Sequence, residues 1–249
     1  MQILTLLALA QMPWTTHLPP RGLALDFLRP KFDAGSTSLT SAAGFLSARL
    51  GAGSGFNLRL ELPFAHAGGS SLPSSTALGN PYLGVESSRG RLSYELGFRP
   101  ALTPDDEIAP QIGFYSDVSR LEAFIPHLAT LAGRITYRHQ TATGMTVTAG
   151  GGPSGWIPTA GGDAEIILHH YGSIGFSGSQ LWGAVGLGGI FILTEDLDLG
   201  ERTLYQLGGS IGLARGQGRP ALHFIVPLDD DINSAVNFVV GAGVAITLR

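Results

Sequence analysis

Between Phe56 and Phe64 every second residue is large and apolar. Phe56, Leu58, Leu60, Leu62 and Phe64 alternate with Asn57, Arg59, Glu61 and Pro63. The same period holds over 91–99, where Leu92, Tyr94, Leu96 and Phe98 separate Arg91, Ser93, Glu95, Gly97 and Arg99. It returns over 131–138 and again over 236–248. A strand sends successive side chains to opposite faces, so each segment has one apolar face and one polar or small face. Wound as a helix, the same residues would scatter around the axis. Along the whole chain the pattern predicts twelve strands, near 22–29, 40–50, 55–65, 81–88, 91–102, 128–140, 144–150, 164–177, 180–194, 203–215, 219–228 and 235–248.

The connections between these strands alternate in length. Short turns, all but 141–143 containing glycine, follow the second, fourth, sixth, eighth and tenth strands, at 51–54, 89–90, 141–143, 178–179 and 216–218. Glycine suits such hairpins because it adopts positive φ without steric cost. The intervening connections, near 30–39, 66–80, 103–127, 151–163, 195–202 and 229–234, are mostly longer. Tight turns at one end and long loops at the other mark a transmembrane barrel. Most of the segments also reach the roughly 9–11 residues that a tilted strand needs to cross a bilayer, against about five or six in soluble sheets. The fold expected is therefore all-β: one antiparallel up-and-down transmembrane barrel, with short turns on the periplasmic side and long loops outside.

Composition agrees with that picture. The 249 residues include 36 glycines, no cysteine, 14% charged and 44% hydrophobic residues, against about 25% charged residues in an average globular chain. Mean hydropathy is slightly positive, at +0.21. The longest near-apolar run, 181–193, is broken by glycines and too short to span a bilayer as a helix. A net charge of −4 excludes a generally basic nucleic-acid surface. Disulfides and thiolate metal sites are excluded as well. Residues 1–10 end in Ala8-Leu9-Ala10 after a short apolar run. That suits a short or truncated signal peptide cut after Ala10, although no Lys or Arg precedes the run. The alternative is an ordinary apolar start or first strand. The barrel proper is expected over 11–249.

In an outer-membrane barrel the apolar face meets lipid and the polar face lines the lumen. Arg59, Glu61, Arg91, Glu95, Arg99, Arg134 and Arg138 are then expected to line the pore, and Asp26, Arg49 and Glu86 fit the same inward register. Such a lining would either tune which solutes pass or fill the interior with mutually neutralised ions. The remaining acids concentrate in connections: Asp105, Asp106, Glu107, Asp117, Glu122, Asp163, Glu195, Asp196, Asp198, Glu201, Asp229, Asp230 and Asp231. Solvated loops are the reading favoured for them over a calcium site at Asp229–Asp231, since oxygen ligands need a defined cage. Val118, Leu121 and Ile125 fall at helical spacing before Pro126. They predict a short helix in the longest connection, lying either in the mouth or on the surface.

The seven histidines do not spell out an enzyme. A Ser–His hydrolase needs the pair within hydrogen-bond reach and a third group orienting the imidazole. On one strand that would read His-x-Ser, which His169-His170-Tyr171-Gly172-Ser173 and His139-Gln140-Thr141 do not supply. His169 and His170, being adjacent, would point to opposite faces, and no phosphate loop follows 183–189. The expectation is no catalytic residue, no metal, no cofactor and no enzyme.

Leu78-Gly-Asn-Pro-Tyr-Leu-Gly-Val-Glu86, followed by Arg91-Leu-Ser-Tyr-Glu-Leu-Gly-Phe-Arg-Pro100, resembles the Gram-negative outer-membrane barrels grouped with the phenol-degradation meta-pathway transporters. In that group a Gly-Asp/Asn-x-x-Leu-Gly strand precedes a hairpin ending in Pro. Pro227-Leu-Asp-Asp-Asp followed by a glycine-rich final strand is similar to the same group, so the resemblance covers roughly 78–249. It implies a cell outer membrane location and movement of small molecules, apolar or aromatic. It also implies outer-membrane lipid and lipopolysaccharide as surroundings. The barrel-assembly machinery would insert it, although Thr247-Leu248-Arg249 stands where these barrels usually end in an aromatic. The function expected is a passive pore or transporter for a small-molecule solute, with no nucleic-acid partner. Two alternatives remain: a structural or adhesive barrel with a plugged lumen, and a soluble exported barrel binding a small ligand.

Overall fold

A computed structural model describes residues 12–32, 41–53, 55–69, 74–194, 202–214 and 217–248. Its strands are β1 (Gly22–Phe32), β2 (Ala42–Gly51), β3 (Phe56–Ala67), β4 (Ser75–Leu78), β5 (Tyr82–Arg89), β6 (Leu92–Arg99), β7 (Leu128–Gln140), β8 (Met145–Pro158), β9 (Glu165–Ser177), β10 (Leu181–Ile192), β11 (Thr203–Leu213), β12 (Gly218–Pro227) and β13 (Val236–Thr247). Each strand pairs antiparallel with its neighbours, and β1 pairs with both β2 and β13. The sheet thereby closes on itself as a barrel of twelve strands. β4 is extra: it lies in the connection expected at 66–80 and pairs only with the end of β3, from Phe64↔Leu78 to Ala67↔Ser75.

The short–long rule of the connections holds around the closed barrel. β2–β3, β5–β6, β7–β8, β9–β10 and β11–β12 are joined at one end by tight turns, and the long connections gather at the other. Gly90 (φ 64°) and Gly144 (φ 88°) stand in two of these turns, in the left-handed region that a side chain disfavours. The alternating apolar residues face outward. Leu60, Leu83, Leu96, Leu131, Ile135, Ile174, Val185, Leu222 and Val240 are all exposed, whereas Asp26, Arg49, Glu86 and Arg99 on the other face are buried. A soluble barrel would have the reverse polarity, so this outer surface fits contact with lipid. Among the described residues no helix is long and apolar enough to cross a membrane.

One strand, β8, runs longer than its sequence suggests. β8 continues to Pro158, well past the expected end at residue 150. The Gly150-Gly-Gly-Pro153 run reads as a turn, yet the β7–β8 ladder steps from Ile135↔Gly151 to Ala132↔Ser154. Pro153, which has no N–H to donate, falls where that ladder is interrupted. The long β6–β7 connection carries α1 (Ala109–Phe114) and a 3-10 helix (Val118–Ala123), and α2 (Asp230–Ala235) precedes β13. The side chain of Asp229 caps α2 by accepting from the backbone N–H groups of Asp231 and Ile232.

Candidate functional site: a filled lumen

Three sets of residues occupy the barrel interior. The first is a charged ladder on β2, β3, β5, β6 and β7. Arg49 Nη2 donates to Glu86 Oε1 at 2.5 Å, Arg59 Nη1 to Glu95 Oε2 at 2.7 Å, and Arg99 Nη2 to Glu61 Oε1 at 2.6 Å. The Tyr82 hydroxyl donates to Glu95 Oε1 at 2.5 Å. Its ring lies over Gly84 and Gly97, where any side chain would collide with it. Arg134 shares this chamber and its charge acts on Glu95. Arg138, nearer the short turns, borders a different cavity. Arg91 corrects the expectation that it faces the lumen. It sits in the β5–β6 turn beyond the last ladder pair, Arg89↔Leu92, so strand parity no longer aims it inward. Its guanidinium is exposed and lies 3.3 Å from the hydroxyl of the outward-facing Tyr137.

The second set is the β6–β7 connection, which folds into the barrel. Val118, Leu121 and Phe124 are buried, packed among inward-facing Phe45, Ile167, Ile190 and Ile225. This packing fills the long-loop half of the lumen with an apolar core. Arg120 follows inward, with Cζ 3.5 Å from the Phe45 ring centre and Nη1 3.4 Å from Glu61 Oε2. Asp117 and Glu122 are therefore buried, which corrects their reading as solvated loop acids. Asp105 does stay exposed at the surface, where a hydrogen bond with His127 at 2.8 Å holds its carboxyl below the usual range. Glu195, Asp196, Asp198 and Glu201 lie outside the described residues. Asn80 anchors the insert: its Nδ2 donates to the carbonyls of Glu122 and Ile125, and its Oδ1 accepts from Leu102 N and Thr103 N.

The third set is the segment before β1, residues 12–21, which runs as a strap inside the lumen. Trp14 is fully buried, lying where a Cβ on Gly208 or Gly188 would be 2.7 or 2.9 Å from its ring. Its indole N–H donates to Asp117 Oδ1 at 3.2 Å, and Gln206 Nε2 donates to the same oxygen at 2.7 Å. Asp117 thus ties strap, insert and barrel wall together. Further along, the Thr16 backbone N–H donates to Asp26 Oδ1 at 3.1 Å and its hydroxyl is 3.0 Å from His223 Nε2. The proposed signal segment, 1–10, lies outside the described residues.

The same clasp contains an arrangement that single-strand reading could not find. His223 Nε2 lies 3.1 Å from Asp26 Oδ1, and its Nδ1 lies 2.7 Å from Ser210 Oγ. With the proton on Nε2, Asp26 accepts from the imidazole and Ser210 donates to it. The three residues come from β1, β11 and β12, and they meet across β13 because Gly243 leaves the space. No spacing along one strand encodes that meeting. His169 is also inward and buried, with neither ring nitrogen hydrogen-bonded among the described residues, while His170 packs edge-on against Tyr205.

Among the described residues the lumen holds a pair of neighbouring cavities. One, of about 70 Å³, is the charged chamber bordered by Arg59, Glu61, Glu95, Arg99, Arg120 and Arg134. The other, of about 210 Å³, reaches the short turns near Ser177–Ser179 and Ala214. Met12 and Thr15 border both, so the strap forms the partition between them.

No family model matches the chain, and no curated protein matches it in sequence. Its fold is shared with solved outer-membrane barrels. An outer-membrane channel from Pseudomonas putida F1 aligns over 96% of this chain and 99% of its own, at TM-score 0.62 and 10% identity. The NanC porin aligns over 91% and 100%, at 0.59 and 8%. LpxR from Salmonella typhimurium aligns over 91% and 100%, at 0.52 and 11%. At these identities the likeness reaches the barrel architecture and not the transporter family that the motifs suggested. LpxR is an outer-membrane enzyme, so this architecture serves enzymes as well as channels. The expectation that the chain is no enzyme is therefore withdrawn.

Proposed function

We propose that the protein is a channel of the cell outer membrane for small molecules, whose lumen is closed in this structure. The observation that carries this reading is the series of two cavities divided by Met12 and Thr15. A removable strap, held by hydrogen bonds rather than by the closed sheet, separates a vestibule at the short turns from a charged constriction. The lumenal roles assigned to Arg59, Glu61, Glu95, Arg99, Arg134 and Arg138 follow from that series: paired charges around a narrow chamber select solutes by charge and size. The fold shared with an outer-membrane channel and a porin supports the reading, and the motif resemblance adds apolar or aromatic molecules as the solute class. Lipid, lipopolysaccharide and the barrel-assembly machinery are the partners that an outer-membrane location brings.

One observation favours a second reading, a structural barrel that never opens. The apolar core formed by Val118, Leu121, Phe124 and Ile167 blocks the long-loop end with ordinary side-chain packing. Planar-bilayer recording decides between them. The channel reading expects discrete current steps from the folded full chain and larger or longer openings from Trp14→Ala with Thr16→Ala. Silence from both folded proteins sinks it in favour of the plugged barrel.

A further inference from the structure

The two cavities differ in charge. The inner chamber sets Asp26, Glu61, Glu95 and Glu122 against Arg59, Arg99, Arg120 and Arg134, and most of these groups are already paired. The cavity at the short turns has Arg138, Arg219 and His17 on its border and no carboxylate among the described residues. The charges acting on the His17 ring come from Arg138, Arg219 and Arg49.

The border of this cavity is otherwise mixed. Gln140 and Ser173 are polar, while Met12 and Pro13 from the strap, Ala184 from β10 and the Trp182 ring, which His17 meets edge-on at 5.4 Å, are apolar. A volume of about 210 Å³ is below that of sites for drug-sized ligands, which start near 300 Å³.

We propose that this cavity binds a small organic anion, its carboxylate held by Arg219 with Arg138 beside it and its apolar body lying against Met12, Pro13 and Ala184. The site needs the strap in place, so it belongs to the closed state of a channel and to a plugged barrel alike. Positive charge beside the vestibule draws anions out of bulk solution, and the apolar side rejects small hydrated ions that cannot replace their water there.

Calorimetric titration of the folded full chain in detergent micelles tests this, with benzoate as the probe and benzamide as its neutral counterpart of the same shape. Benzoate is expected to saturate a single site and benzamide to bind about tenfold more weakly or worse, the difference a charged hydrogen-bonding partner makes. Arg219→Gln should weaken benzoate about tenfold and leave benzamide nearly unchanged, whereas Arg91→Gln on the outer rim should change neither. If Arg219→Gln loses heat-modifiable gel mobility and so has not folded, Arg138→Gln takes its place, with an expected loss of about threefold. Equal affinity for the two probes, undiminished benzoate binding in the folded variant, or no benzoate binding overturns the proposal. The titration reads binding without conduction, so a silent bilayer does not affect its outcome.

Discussion

The two sides of the lumen fill the same kind of space in different ways. On β3, β5, β6 and β7 the inward positions carry long charged side chains, and Arg59, Glu61, Glu95, Arg99 and Arg134 meet in the interior. On β10, β11 and β13 the inward positions include Gly186, Gly188, Gly208 and Gly243, and the space they leave is taken by Pro13, Trp14 and Thr16 of the strap. A charged wall closes itself with side chains, at the cost of needing a partner for every ion. A glycine wall cannot close itself and so receives another piece of chain. Only the second kind of filling is a separate piece of chain rather than the wall's own side chains, so in the channel proposed above the strap and not the ladder is the part that would move.

That contrast can be broken at its most costly point first. Arg49 and Glu86 are almost fully buried and paired, so Arg49→Leu leaves an uncompensated carboxylate and should destabilise by about 3–5 kcal/mol. Adding Glu86→Leu should return much of that loss. Urea unfolding in liposomes measures both, and no recovery in the double variant would show that the pair is not the cause. Next, the contrast belongs to the inner face alone. Leu60, on the outer face of the charged wall, should behave as a lipid-facing residue, and Leu60→Arg should cost about 2–4 kcal/mol if it lies near mid-membrane. A negligible change in the same assay would place Leu60 away from lipid. On the glycine wall, Gly208→Val forces a side chain into the Trp14 ring and should cost about 1–3 kcal/mol while raising the accessibility of Trp14 to an aqueous fluorescence quencher. Unchanged quenching would show that the strap does not depend on that glycine. Smallest of all, Asp105→Ala breaks an exposed pair with His127, and the unfolding midpoint should not move measurably.

Much of the barrel was legible in the sequence because its wall follows a period of two. Leu92, Tyr94, Leu96 and Phe98 face outward with Glu95 and Arg99 opposite, as the alternation requires once the outer solvent is lipid. Legibility failed where a residue's neighbours are not its sequence neighbours. Arg91 carries the inward parity of its strand, but the turn releases it to the rim. Asp117 looks like any acid in a long polar connection, and nothing local announces that Trp14, Gln206 and Arg120 will converge on it. Asn80 was visible only as part of a motif, not as the anchor of the inserted connection. Ile166-Ile167-Leu168, Ile190-Phe191-Ile192 and Phe224-Ile225-Val226 give local hints of the inner core, because runs of three large apolar residues break the alternation and place Ile167, Ile190 and Ile225 inward.

The sequence by itself determined the strands, the short–long connections and the two-faced wall, because these depend on side-chain alternation and turn chemistry within a few residues. What occupies the lumen was decided only by the tertiary structure. Closing the sheet brings β1 beside β13 and sets Asp26, Ser210 and His223 around the space above Gly243. It also creates an interior that the strap and the β6–β7 connection fill. Those contacts join residues as far as 207 positions apart, and no local pattern specifies them because each depends on which side chains the opposite wall leaves out.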